Sequence, residues 1–159
     1  MTKCLRERPS PSAERAAPIG MLLDTNVILD VVLAREPWAD TAAELLDAAA
    51  RGAITGWVAG TTVTTVHSIV ERARDRATAT TAVSDLLQVV KVVPLTSEDF
   101  HRALALGLRD FEVAVQVAAG LRAGVQTLIT RNARDFRSAP IDVRSPAEAV
   151  AVISAEPGE

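Results

Sequence analysis

One arrangement recurs along the chain: a short strand-like run ends in polar residues that favour a helix start, and an amphipathic segment follows. Met21-Leu22-Leu23 runs into Asp24-Thr25-Asn26, and Val125 to Ile129 runs into Thr130-Arg131-Asn132. Short, continuous apolar runs suit strands buried on both faces, whereas strands with one wet face alternate. Asp, Thr and Asn can accept hydrogen bonds from the free N–H groups of a first helical turn, so the first run reads as strand, then helix. Val27, Ile28, Val31 and Val32 continue at helical spacing until Arg35-Glu36-Pro37, where proline disfavours helix in its predecessor.

The same reading extends to the C-terminus. A second helix is predicted from about Trp38 to Arg51, with Ala42, Leu45, Leu46 and Ala49 on one face and Gly52 stopping it. Ile54 to Val58 is a strand candidate. Thr61 and Thr62 are expected to cap a third helix carrying Val63, Val66, Ile69 and Val70, and a fourth should span Ala77 to Val90. Val92 to Leu95 reads as a strand, and Thr96 with Asp99 has capping-box spacing before a helix holding Phe100, Ala103, Leu104 and Leu106. Asp110 opens a helix ending near Gly124, Ile141 to Val143 forms a last strand, and Pro146 suits the first turn of a terminal helix through Ile153. Strands alternating with helices predict a three-layer α/β domain whose central parallel sheet is flanked by helices. Ligands in such sheets bind outside the carboxyl ends of the strands, which directs attention to the polar residues there.

Composition narrows the function. The 159 residues are 48% hydrophobic and 23% charged, which fits one globular domain over 21–159. Residues 1–20 read as a flexible extension, or as sequence upstream of an initiator at Met21. Aromatics are only 3%, which argues against a base-stacking platform. The single cysteine, Cys4, permits no intrachain disulfide and no thiolate cage, which suits a reducing cytoplasm. No apolar run reaches the roughly 20 residues that span a bilayer, so no membrane association is expected. Beyond residue 20 there are thirteen basic and eighteen acidic residues, a poor balance for sequence-blind polyanion binding. Nucleic-acid chemistry would need a local basic patch, a metal ion or a basic partner.

Asp24, Asp110 and Glu112 are the carboxylates that the fold reading brings toward one sheet edge. Carboxylates at strand ends suit Mg²⁺, a hard ion held by one or two of them with waters and phosphate. Helix capping is the competing role for Asp24 and Asp110. There is no phosphate-cradling glycine loop, zinc spacing or nucleophile elbow. His67 and His101 are isolated in helical patterns, while Arg131, Arg134 and Arg137 flank Asn132 and could meet phosphates.

Leu22 to Asp30, Asp110 to Gln116 followed by Ala118-Ala119, and Ile129 to Asn132 with Asp135-Phe136 together resemble the PIN domains, in particular VapC-type toxin ribonucleases. The resemblance covers residues 21–153. It implies a three-layer PIN-like fold with an acidic cleft, Mg or Mn as cofactor, an RNA substrate, a small antitoxin partner and, as one option, a homodimer. Of the usual acidic positions Asp24 is kept for the metal; with Asp110 added to the metal, the expected site has Asn132 on water or phosphate and Asn26, Arg131 and Arg134 on the substrate. The chain departs from the pattern at three acidic positions, where it has Thr65, Val113 and Asn132. Asp110, three residues before Val113, is expected to supply a displaced carboxylate, and Glu112 to point elsewhere. The expected function is a Mg-dependent endoribonuclease of the toxin-antitoxin type, of reduced activity because of Val113. The alternative is a degenerate PIN domain that binds RNA or protein.

Overall fold

A computed structural model describes residues 17–156. The expected extension therefore lies largely outside the described residues, except that Ile19 and Gly20 already belong to the first strand, β1 (Ile19–Leu23). There follow α1 (Thr25–Val32), α2 (Ala39–Ala50), β2 (Ile54–Ala59), α3 (Gly60–Ala73), α4 (Arg76–Val89) and β3 (Lys91–Val93). The second half holds α5 (Ser97–Leu106), α6 (Phe111–Arg122), β4 (Thr127–Ile129), a 3-10 turn (Ala133–Phe136), β5 (Asp142–Arg144) and α7 (Pro146–Ala155). The sheet is five-stranded in the order β3-β2-β1-β4-β5, and every neighbouring pair is parallel.

The side-chain alternation of β1 divides the core between the two sheet faces. Met21 and Leu23 pack with Ile28, Leu45, Val58 and Val66, the cluster to which α1, α2, α3, α4 and α7 contribute. Leu22 faces the other way, onto Val113, Val117, Leu128 and Phe136. This covers both faces, as the continuous apolar strands predict. On the second face α6 lies between the sheet and α5, so that every residue from Val113 to Gly120 is buried. Gly120 permits the close approach: a Cβ there would stand 2.7 Å from Leu22 Cδ2.

The capping signals at Thr96 and Asp110 take effect as read, and the structure adds one at Ser145. Thr96 with Asp99 and Ser145 with Glu148 both form capping boxes, and the Asp110 side chain accepts from the N–H groups of Glu112 and Val113. Asp99 also accepts from Arg122 at 2.8 Å, which ties α5 to α6 and holds its carboxyl below the usual range. Thr61 and Thr62 are different. They lie inside α3, which starts at Gly60 behind Ala59, and Thr62 turns inward to meet Thr25. A threonine hydroxyl with a tertiary partner gains nothing from capping.

Phe136 is 1% exposed and closes the loop after β4 against Leu22, Val113 and Val117. Phe136→Ala should cost about 3–5 kcal/mol in urea unfolding, the range for emptying an aromatic site in a packed core.

Candidate active site

Because the strands are parallel, the ends of β1, β2 and β4 open on one edge of the sheet. There Asp24 caps α1 through its backbone, with the Val27 N–H donating to the Asp24 carbonyl, which frees the side chain from that role. The Asp24 N–H donates to the Ile129 carbonyl at 3.0 Å, and Thr130 Oγ1 donates to Asp24 Oδ2 at 2.9 Å. Asp24 is 4% exposed. Burial pushes its carboxyl above the ordinary range, opposed by hydrogen bonds from Thr130, Gln116 and the Thr25 backbone and reinforced by the facing charge of Glu112.

A cleft of about 160 Å³ lies over Asp24, walled by α1, α3, the start of α6 and Asp135. The sequence reading places Glu112 elsewhere, yet Glu112 turns into this cleft. Its Oε1 accepts from Thr65 Oγ1 at 3.2 Å and from Thr25 Oγ1 at 3.5 Å, and the Thr25 hydroxyl lies 3.0 Å from that of Thr62. Each hydroxyl carries one proton, so Thr25 giving its proton to Glu112 leaves Thr62 to donate to Thr25. The long side chain reaches back over the helix start because threonines on α1 and α3 hold its end.

The remaining expected site residues divide. Asp110 lines the cleft, but its Oδ1 caps α6, at 2.9 Å from the Glu112 N–H and 3.3 Å from that of Val113. Asn26 and Asp135 line it too. Asn132 acts through its backbone: its N–H donates to Thr130 Oγ1 at 3.0 Å, orienting the hydroxyl that serves Asp24. Arg131 has a structural contact instead. Its Nε donates to the buried Asp30 at 2.8 Å, and its guanidinium stacks 3.9 Å from the centre of the Trp38 ring. Arg134 is exposed on the 3-10 turn.

The sequence reading does not single out Gln116, although one polar residue within Val113 to Leu121 is the available signal, since a buried amide needs partners. It is 2% exposed and lines the cleft, and its Oε1 has no hydrogen-bond partner.

Among the described residues no group of three or more His, Cys, Asp or Glu side chains gathers closely enough to hold a metal. A hard divalent ion requires less, one or two carboxylates with water and phosphate completing its shell. Asp24 and Glu112 provide these, and the unpartnered Gln116 oxygen marks a place where a positive group would be satisfied. The donor set, all oxygen, fits such an ion.

The PIN-domain family model matches residues 20–134. No curated protein matches the chain. Among solved structures, the fold is similar to VapBC2 from Rickettsia felis bound to a promoter DNA fragment, with a TM-score of 0.65 and 11% identity over 80% of this chain and 98% of that one. It is also similar to a toxin-antitoxin complex from Klebsiella pneumoniae, with a TM-score of 0.61 and 22% identity over 79% and 97% of the two chains. A third similar structure is VapC20 from Mycobacterium tuberculosis, a sarcin-ricin loop cleaving toxin, with a TM-score of 0.58 and 18% identity over 68% and 86%. At these identities the likeness is one of fold.

Two outcomes are expected. A carboxyl whose pKa is raised by folding binds its proton more tightly in the native state, so its contribution favours folding at low pH and is lost as pH rises through the native value. Asp24→Asn should therefore raise the melting temperature by a few degrees at pH 7, and the gain should shrink toward pH 4 in melts of both proteins. Arg131→Ala leaves Asp30 buried with only Arg35, 3.9 Å away. It should lose about 3 kcal/mol in denaturant titrations, and Arg131→Lys should recover only part, lacking the two-pronged, stacked geometry.

Proposed function

The chain belongs to the PIN-domain family, and from that premise we propose that it is a divalent-metal-dependent endoribonuclease of the toxin-antitoxin type. The observation that carries the reading is the convergence of Asp24 and Glu112 on one cleft at the carboxyl edge of the sheet. Asp24 and Glu112 would hold the ion, with Asp110 and Asp135 at the cleft wall. When bound, a Mg²⁺ or Mn²⁺ ion supplies Lewis-acid stabilisation to the phosphodiester and brings water to neutral-pH reactivity.

The chain's own residues do the positioning. Thr130 fixes the Asp24 carboxylate, while Thr25 and Thr65 fix Glu112. Asn26 reaches substrate from the cleft wall, and Arg134 offers an exposed cation for the RNA backbone beyond it. With Arg131 paired to Asp30, Arg134 and the metal carry the phosphate recognition that an acidic protein otherwise lacks.

The named relatives include toxin-antitoxin complexes, and a small antitoxin partner belongs to the same reading. An apolar groove of about 600 Å³, lined by Ile28, Val31, Val32, Leu46, Leu86 and Val89 between α1, α2 and α4, is the surface suited to it. Among the described residues no helix is long and apolar enough to cross a membrane.

One observation favours a second reading, a binding module without cleavage. Val113 is 7% exposed and packs with Leu22 and Val117, so the usual acidic position has joined the apolar core. Cleavage of a total RNA preparation separates the two. The nuclease should cut with Mg²⁺ or Mn²⁺, stop with EDTA, and fall on the order of a hundredfold or more in Asp24→Asn and Glu112→Gln. RNA retention without cutting, unaffected by either variant, would establish the module instead.

A further inference from the structure

Gln116 has an amide oxygen that nothing in the fold satisfies. Such orphans are uncommon in native interiors and call for a partner outside the protein. The Gln116 side chain also lies at hydrogen-bond distance from the Asp24 carboxyl, which brings its amide beside the first carboxylate of the cleft. Glu112 and Gln116 are four residues apart on α6, hence stacked on one face, and both line the cleft over Asp24.

We propose that Gln116 Oε1 is a third oxygen donor toward the divalent ion, a neutral group serving where Val113 leaves no acid. This rests on the metal-dependent reading above and adds a residue to it. Asp24 sits in a recess, 4% exposed, so a cation touching it sheds water, and its replacements must be oxygens of the recess. Thr25 and Thr65 hydroxyls are engaged with Glu112, and Thr130 with Asp24. Gln116 Oε1 is without such an engagement. An amide in place of a carboxylate lowers the negative charge of the site, which reduces repulsion in the metal-free protein and weakens its hold on the ion.

Isothermal titration of Mn²⁺ into the purified full chain, paired with thermal melts with and without Mn²⁺, tests this in wild type, Asp24→Asn, Gln116→Glu and Gln116→Met. Wild type should bind, and Asp24→Asn should not. Gln116→Met should weaken binding roughly tenfold or more and shrink the Mn²⁺-induced rise in melting temperature. Gln116→Glu should bind more tightly than wild type and melt lower than wild type only when metal is absent. If Gln116→Met does not fold, Gln116→Asn replaces it, keeping an amide but withdrawing its oxygen by one methylene: weakened binding supports the role and unchanged binding overturns it. Wild-type affinity in all the Gln116 variants, with Asp24→Asn still defective, overturns the role of Gln116 alone. Absence of Mn²⁺ binding in the wild type overturns the metal-dependent reading and this inference together.

Discussion

The final rung of the central ladder, the Asp24 N–H donating to the Ile129 carbonyl, fixes where the candidate site lies. It places the end of β1 level with the end of β4, so the residue after one strand meets the residue after the other. Thr130 then finds Asp24 at hydrogen-bond distance without any loop having to fold for the purpose. The Asp30–Arg131 pair secures the same junction from the far side by binding the start of the loop to α1. Secondary structure sets the address of the site, and two side-chain pairs prevent it from drifting.

The cleft balances opposing demands on charge. Two carboxylates facing each other in a recess repel, and burial penalises the charged form of Asp24. Hydroxyls relieve the strain: Thr130 serves one carboxylate, Thr25 and Thr65 the other. Threonine at 65 and valine at 113 thus lighten a site that further acids would crowd. The metal-free protein becomes easier to fold, and on the proposed metal-dependent reading an ion would be more loosely held.

Much of the architecture is legible in the sequence because it depends on local chemistry. Strand runs, the Thr96–Asp99 box, Pro146 and the Asp110 cap depend on neighbours within a few positions. The site is legible only in part, since its decisive contacts are long-range. Glu112 takes its orientation from Thr65, 47 residues away, and Arg131 is drawn off by an aspartate 101 residues away. Helical spacing says where a side chain begins, and says little about where a flexible one ends. Asp30, a charge in the apolar stretch of α1, and Gln116, an amide in the apolar stretch of α6, are the two positions whose chemistry clashes with their pattern. Both prove to mark a tertiary connection.

Strand order also governs when the cleft can come into being. β1 pairs on one side with β2, which follows it closely, but on the other side with β4, and the hydroxyl that serves Asp24 lies 106 positions downstream of it. A growing chain can therefore build the α1–α4 half while one edge of β1 stays open, and no pocket around Asp24 exists until synthesis has passed Thr130. Chains released early from the ribosome have the first carboxylate and nothing to hold it. On the proposed nuclease reading, a chain made in the midst of RNA has no cleft to cut with until Thr130 has been added.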